Sequence, residues 1–298
     1  MSDMSSDNVI IKHFKIYIMK KFCFLLAAAA LVAACQKPSD GVEPVDDNTL
    51  SYGGVTYKTV TLSNGQTWMA EPLRYVPEGK TVSDDPAAAA GIWYPYEVSS
   101  GVAKALKDGA SVAKYGYLYD AASAFGVKEV TPANFKTFEG TRGICPEGWH
   151  IPTRADFVKL CGFSLKAEGE SAPLVDETAL FYDADLNGAS VVDFNEGNWN
   201  FIPTGYMNRT ATDKTGSYPA APLTTDETCS IPEFVGKPTM TYFIGSTAYQ
   251  HRLTSTGENI QFFDMYGMFV KTFPAGKITV GYGNYLSGYS VRCIKDAQ

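Results

Sequence analysis

The side chains that could carry acid–base or metal chemistry are few in this chain. Only two of its three histidines, His150 and His251, follow the apolar N-terminal stretch. A histidine-based metal or catalytic site needs several convergent partners, and the sequence around these residues does not supply them. No serine or cysteine lies in a nucleophile motif, and no glycine-rich phosphate loop is present. We therefore interpret His150 as a hydrogen-bonded core residue and expect a non-enzymatic protein without a cofactor.

One stretch has the residue types of a calcium-binding loop. Asp183, Asp185 and Asn187 alternate along the chain and precede Gly188, which suits a hard cation and a tight turn. The position of the last, bidentate acid holds Phe194 instead. A polar turn closed by Asx hydrogen bonds is the preferred interpretation. A calcium site at Asp183, Asp185 and Asn187 is the alternative.

Two groups of aromatic residues could contact the rings of sugars. An aromatic face buries the apolar C–H surface of a sugar, while a tyrosine hydroxyl can hydrogen-bond to it. The alternative is that these rings pack within strands or cover the core. The first group is Trp93, Tyr94 and Tyr96, and the second is Tyr282, Tyr285 and Tyr289.

The N-terminus has the pattern of a secretory signal. Met19-Lys20-Lys21 precedes an apolar run, Phe22–Ala34, which is shorter than the roughly 20 residues of a membrane-spanning helix. The run ends in small residues before Cys35 and resembles a bacterial lipobox, which implies cleavage and lipid attachment at Cys35. We expect residues 1–34 to be a signal peptide whose true start is Met19. An ordinary signal with an incidental cysteine is the alternative.

Residues 35–50 are polar and acidic, which predicts a lipidated tether and not a folded element. Acidic residues after the lipidated cysteine resemble the surface-export signal of Bacteroidota lipoproteins. That resemblance implies a protein anchored by lipid in the outer membrane and displayed at the cell surface. A lipoprotein that faces the periplasm is the alternative.

The charge of the chain excludes some partners. The formal net charge is −7, and removing residues 1–34, with four lysines and two aspartates, makes it −9. An acidic chain without basic clusters does not favour nucleic-acid binding or electrostatic docking on anionic lipid. Its contact with the membrane is therefore expected to be the lipid anchor.

The patterning of the mature chain favours short strands joined by loops. Val55–Leu62 and Thr67–Tyr75 read as strands around an Asn64-Gly65 turn, and residues 76–114 read as a long loop region with at most one short helix. Tyr115–Phe125 runs from a strand into a short helix that Gly126 ends. A second helix begins at Thr153, with Asp156 in a capping box, and several strands follow residue 175.

Seven short motifs follow one another along the chain: Tyr57–Val60, Gln66–Glu71, Tyr115–Tyr119, Cys145–Pro152, Pro203–Tyr206, Ser246–Thr247 and Ser290–Cys293. Their types and order resemble the Fibrobacter succinogenes major paralogous domain family (FISUMP), as a single domain over residues 51–298. The resemblance implies a distant relative of the C-type-lectin-like fold. That fold is α+β, with short strands, two main helices and long loops.

Four cysteines follow Cys35, and an even number in an exported protein indicates disulfides. The residues alone leave three connectivities open. The family resemblance implies a Cys145–Cys293 disulfide. If Cys145 pairs with Cys293, the remaining pair is Cys161–Cys229. The alternative is a buried free thiol at Cys161.

The sequence therefore predicts a surface lipoprotein that binds a glycan or a protein. The alternative is a structural or accessory subunit of an envelope assembly, such as a nutrient-uptake complex or a fimbria. An enzyme, by analogy with sulfatase-modifying relatives of the lectin-like fold, would need a reactive cysteine pair. Cys145 and Cys293 are expected to be structural instead.

Overall fold

The computed structural model describes residues 48–88, 91–131, 133–161, 164–165, 174–175, 199–209, 233–235, 237, 240–253, 260–271 and 277–297. The predicted signal peptide and nearly all of the predicted tether, including Cys35, lie outside these residues. So do Asp183, Asp185, Asn187 and Cys229. Among the described residues, no helix has the length and apolar character needed to cross a membrane.

The described chain forms seventeen strands, three α-helices and one 3₁₀-helix. The strands are β1 (Thr49–Tyr52), β2 (Val55–Thr61), β3 (Thr67–Met69), β4 (Ile92–Trp93), β5 (Tyr96–Ser99), β6 (Val102–Ala105), β7 (Leu118–Tyr119), β8 (Trp149–His150), β9 (Ser164–Leu165), β10 (Leu174–Val175), β11 (Tyr206–Asn208), β12 (Glu233–Val235), β13 (Met240–Leu253), β14 (Ile260–Lys271), β15 (Lys277–Asn284), β16 (Tyr289–Ser290) and β17 (Ile294–Lys295). The helices are α1 (Gly109–Tyr115), α2 (Ala121–Phe125), α3 (Arg154–Leu160) and the 3₁₀-helix Phe135–Phe138.

The first strands and the last strand share one five-stranded sheet, in the order β1-β2-β3-β17-β8. The predicted hairpin at Asn64-Gly65 joins β2 to β3, although β3 ends at Met69 and not at Tyr75. The Asn64 side chain donates to the backbone oxygen of Lys159 at the end of α3. The hairpin is thereby attached to the helix beside it.

A six-stranded sheet in the order β15-β14-β13-β16-β7-β4 forms the other large layer. Its long strands β13, β14 and β15 have 14, 12 and 8 residues. Two glycines within them, Gly267 and Gly283, lie under the ring of Tyr242, which a Cβ at either position would approach within 2.6 Å. An aromatic ring covering a glycine in a strand replaces the missing side-chain packing.

The α+β prediction, with short strands, two main helices and a C-type-lectin-like fold, is wrong. The described structure is β-rich, and its three α-helices have only five to seven residues each. A glycine within a strand weakens it, and β14 and β15 contain three, at positions 267, 281 and 283. Because Tyr242 packs over Gly267 and Gly283, β14 and β15 instead continue through them.

A bulge in β13 positions α3. The register between β13 and β14 shifts between Ile244 and Ala248, which turns Ser246 and Thr247 toward the segment before α3. The Ser246 hydroxyl donates to the Ile151 backbone oxygen at 2.9 Å, and the Thr247 hydroxyl accepts from the Arg154 N–H at 2.8 Å. The predicted capping box of Thr153 with Asp156 is present.

Three groups of buried side chains form the core. The largest surrounds α2 and the Cys145–Cys293 disulfide, whose Cα atoms lie 5.8 Å apart. A second contains Trp68, Phe157 and Trp199, and it is covered by α3. A small third group of Trp93, Tyr96, Leu118, Met207 and Phe234 lies under β4 and β5. The predicted Cys145–Cys293 pairing is confirmed.

Candidate functional site

Three half-buried tyrosines lie around the start of β7, which follows α1 and pairs with β4. Tyr94 follows β4, Tyr115 ends α1, and Tyr117 directly precedes β7. The rings of Tyr94 and Tyr117 meet edge to face, with centroids 5.7 Å apart. Tyr115 is two residues from Tyr117, which places their Cα atoms within about 7 Å. We call Tyr94, Tyr115 and Tyr117 the tyrosine surface.

Gly116 sets the backbone between Tyr115 and Tyr117. Its φ is +66°, and a Cβ there would lie 2.6 Å from the Leu73 backbone oxygen and 2.7 Å from the Pro72 Cβ. Only glycine lets the chain pass this close to the Pro72–Leu73 segment. The Tyr117 N–H then donates to the Leu73 oxygen at 3.1 Å. The ends of α1 and β7 are thus attached to a buried segment, which holds two of the three rings.

A buried ring supports the tyrosine surface from beneath. Tyr119 is fully buried, and its centroid lies 6.5 Å from that of Tyr117. Its hydroxyl donates to the Tyr75 backbone oxygen at 2.9 Å, and the Tyr75 ring packs on Tyr52 with centroids 4.6 Å apart. Burial raises the pKa of Tyr119 well above its usual value. It therefore remains a neutral donor.

Charged groups border the tyrosine surface. Lys107 and Asp84 form an exposed ion pair close to Tyr94. The pairing lowers the pKa of Asp84 and raises that of Lys107. Burial, followed by the neighbouring Tyr94, raises the pKa of Tyr117. The hydroxyl of Tyr117 is therefore protonated at neutral pH and can donate a hydrogen bond.

Two lysines contact the ring of Tyr115. Lys237 Nζ lies 3.5 Å from the ring centroid and Lys114 Nζ lies 5.0 Å from it. Lys237 also donates to the Tyr96 backbone oxygen. Cations within about 6 Å of an aromatic ring are attracted to its face. This end of the tyrosine surface is therefore locally positive, although the chain as a whole is acidic.

The structure separates the three aromatic residues of the first predicted group. Trp93 and Tyr96 have no exposed surface. The Trp93 indole donates to the Asp85 backbone oxygen at 3.1 Å, and Tyr96 stacks on Phe234 with centroids 4.5 Å apart. Only Tyr94 of this group offers a ring to solvent. Sequence reasoning missed Tyr115 and Tyr117, although both lie in the Tyr115–Tyr119 motif.

The second predicted group is divided between a strand, a turn and the core. Tyr282, in β15, stacks on Tyr249 with centroids 4.5 Å apart. Tyr285 lies after β15 and packs half-buried against the largest core group. Tyr289 is 4% exposed, and its ring centroid lies 4.0 Å from that of Tyr242. These contacts place most of the aromatic surface of the group against protein.

A polar pocket of about 400 Å³ surrounds His150, between β3, β17 and α3. His150 Nδ1 lies 2.6 Å from Asp296 Oδ1, and Nε2 lies 3.2 Å from Asp156 Oδ2. Burial disfavours the charged ring, but the two aspartates outweigh it and raise the pKa of His150. Because both ring nitrogens are engaged, this histidine is not poised to take a proton from a substrate.

Sequence reasoning missed the partners of His150. Asp296 is 146 residues away along the chain, and it becomes a neighbour only because β17 pairs with β8. Asp156 was predicted as the capping partner of Thr153. Its contact with His150 could not be predicted from helical spacing. Among the described residues, no three His, Cys, Asp or Glu side chains converge on a position for a metal ion.

The thiol of Cys161 is buried and free, and Cys229, its predicted partner, lies outside the described residues. The Cys161 sulfur contacts the Met268 sulfur at 4.0 Å within the second core group. Burial raises the pKa of this thiol. A protonated, enclosed thiol is a packing group and not a nucleophile.

A known family covers the part of the chain that contains the core disulfide and the Ser246–Thr247 contacts. The Fibrobacter succinogenes major domain model matches residues 63–295. The chain belongs to that family. The matched residues include the tyrosine surface, His150 and both disulfide cysteines. No curated protein and no solved structure matches the chain.

Proposed function

We propose that this FISUMP protein is a non-enzymatic surface lipoprotein that binds a glycan through Tyr94, Tyr115 and Tyr117. The observation that carries the proposal is the set of three half-buried tyrosine rings held at the junction of β4, α1 and β7. Rings held by their own backbone contacts lose little freedom when a ligand binds. Their hydroxyls and the Lys107–Asp84 pair at the edge supply polar contacts for sugar hydroxyls.

A binding role also agrees with the chemistry of the other polar groups. Both nitrogens of His150 are held by carboxylates, and the Cys161 thiol is enclosed. Neither group is placed for acid–base or nucleophilic catalysis. These observations support a non-enzymatic protein.

The proposed binding test uses a soluble form that begins at Gln36, screened against a glycan panel. Tyr117→Ala and Tyr94→Ala each remove one ring of the tyrosine surface, and loss of a central aromatic contact costs more than about 1 kcal/mol, or about fivefold in affinity. Tyr282→Ala removes a half-buried ring elsewhere and is the control. Binding that depends on Tyr282 alone, or no binding to any glycan, would contradict the proposal.

The proposed anchor is lipid on Cys35, with the acidic tether directing the protein to the outer face of the outer membrane. Incorporation of labelled fatty acid into the full chain, and its loss in Cys35→Ala, is the expected result. Protease added to intact cells should remove the domain. A protein that is labelled but protected from protease would place the domain on the periplasmic side.

A second candidate function is that of a subunit in an envelope assembly. The β5–β6 hairpin exposes two valines, Val98 at 42% and Val102 at 68%. Exposed apolar residues on a two-stranded ribbon are typical of a surface that pairs with another chain. If this role is correct, the protein co-purifies with a partner from detergent-solubilised membranes, and Val102→Lys releases that partner. A lone monomer would contradict it.

A further inference from the structure

The ring of Tyr115 has two ammonium groups on it. Lys237 Nζ lies 3.5 Å and Lys114 Nζ lies 5.0 Å from the ring centroid. In the part of the chain that the structure describes, neither lysine belongs to an ion pair, since the four pairs involve Arg74, Lys107 and His150. Two like charges beside one ring repel each other unless an anion lies between or beside them.

The surroundings of Lys237 make that repulsion stronger. Lys237 is half-buried, and burial lowers its pKa to about 8, with Lys114 lowering it further and Glu97 opposing the change. Among the described residues, Glu97 forms no ion pair with either lysine. Within the part of the chain that the structure describes, the two ammonium groups at Tyr115 therefore have no carboxylate at ion-pair distance.

The neighbouring rings indicate which anion fits. Tyr115 lies within about 7 Å of Tyr117 along the backbone, and the Tyr117 ring contacts Tyr94. A six-membered sugar packed on Tyr117 would bring a substituent of that ring, or of the next sugar, to the two lysines. A six-membered sugar can carry a carboxylate directly on its ring. Such a group does not extend beyond the distance of about 7 Å between Tyr115 and Tyr117.

We propose that Lys114, Lys237 and Tyr115 form a subsite for the carboxylate of an acidic glycan, such as a uronic acid residue. This inference rests on the proposed glycan binding of the tyrosine surface. Tyr94 and Tyr117 contact the sugar ring, and the two ammonium groups bind its carboxylate. The subsite selects acidic over neutral sugars that otherwise have the same shape.

The test compares oligogalacturonate with its methyl ester, which keeps the sugar rings but has no charge. We expect the acid to bind at least tenfold more tightly than the ester at low salt. Lys237→Met and Lys114→Met should each lower the affinity for the acid severalfold and change the affinity for the ester much less. Lys128→Met, an exposed lysine after α2, is the matched control and should leave both affinities unchanged.

The outcomes separate this inference from the proposed function. Equal affinity for acid and ester, or a preference that survives Lys237→Met and Lys114→Met, overturns the carboxylate subsite and leaves glycan binding intact. Failure of both ligands and of every other glycan overturns the proposed function itself. A melting curve for each variant shows that a loss of binding is not a loss of folding.

Discussion

At the scale of single residues, Arg292 shows how the family motif Ser290–Cys293 contributes to folding. Its guanidinium is 1% exposed and donates to the backbone oxygens of Trp199 and Asn200. Its Cζ lies 4.1 Å from the Trp199 ring. Burial lowers the pKa of Arg292 to about 9, so the group remains charged at neutral pH. One side chain therefore attaches the segment at residues 199–200 to the core.

Replacing Arg292 should destabilise the domain because two backbone carbonyl groups, that of Trp199 buried, lose a charged donor. Arg292→Met is expected to lower the free energy of unfolding by about 2–3 kcal/mol. Arg292→Lys should recover little of it, because an ammonium does not reproduce the planar, two-pronged donor. Arg74→Met, at a more exposed arginine paired with Glu71, is the control and should cost less than about 1 kcal/mol. Urea unfolding measures all three, and equal losses at both sites would refute this role.

His150 should make stability depend on pH. Its folded-state pKa is raised by Asp156 and Asp296, so protonation favours the folded protein. This contribution is fully present below the unfolded value of about 6.5 and is lost as pH rises through the folded pKa. In His150→Gln, the free energy of unfolding should therefore fall less steeply with pH above about pH 6.5.

A titration of the His150 imidazole by NMR checks the cause. Asp296→Asn removes one carboxylate and should lower the observed pKa of His150 toward its ordinary value. A His150 pKa that is unchanged in Asp296→Asn would show that the contact with Asp296 does not determine it.

At the scale of elements, the long strands depend on two positions that must lack a side chain. Gly267 lies in β14, and a Cβ there would meet the Phe243 backbone oxygen at 2.4 Å and the Tyr242 ring at 2.5 Å. Tyr242 thus packs over the sheet only because β14 and β15 carry glycines beneath it. The ring and the glycines act together to keep the strands continuous.

Gly267→Ala should cost about 1–3 kcal/mol in the free energy of unfolding, because the strand backbone must shift to admit the methyl group. Gly109→Ala is the control. Gly109 begins α1, where nothing lies within 4 Å of an added Cβ, and alanine there should be neutral or slightly stabilising. Thermal unfolding of both variants measures the difference, and a stable Gly267→Ala protein would contradict the packing argument.

Local elements were predictable where a short-range rule decides them. The Asn64-Gly65 hairpin, the Thr153–Asp156 capping box and the Gly126 helix end all appear as expected. The architecture was not, because β14 and β15 continue through Gly267 and Gly283 beneath the ring of Tyr242, which comes from another strand. The tyrosine surface was found only in part, since Tyr94 becomes a neighbour of Tyr117 through the pairing of β4 with β7.

At the scale of the whole domain, the Cys145–Cys293 disulfide joins two segments 148 residues apart. The largest core group surrounds it, and β17 follows Cys293 directly. Closing so long a loop restricts the unfolded chain most strongly, and loss of a native disulfide typically costs 2–5 kcal/mol. The bridge therefore stabilises the whole domain and not one element.

The double variant Cys145→Ser/Cys293→Ser should melt at a lower temperature by this mechanism. Cys161→Ser is the comparison, because that thiol is free and buried. This change alters the packing of the core and leaves the disulfide in place. Calorimetry with and without reductant measures both. Reductant should lower the melting temperature of the wild type and of Cys161→Ser, but not that of the double variant.

The same disulfide and the place of β1 have a mechanical consequence if the domain is held on the proposed lipid anchor. Tension transmitted along the tether enters at Thr49, and β1 lies at the edge of its described sheet, paired with β2 over four residues. The few backbone hydrogen bonds between β1 and β2 would break first under tension. The covalent bridge, by contrast, keeps the 148-residue span from Cys145 to Cys293 from being drawn out. If the proposed ligand is held under flow, the force would therefore separate the short β1–β2 pair before it reaches the core.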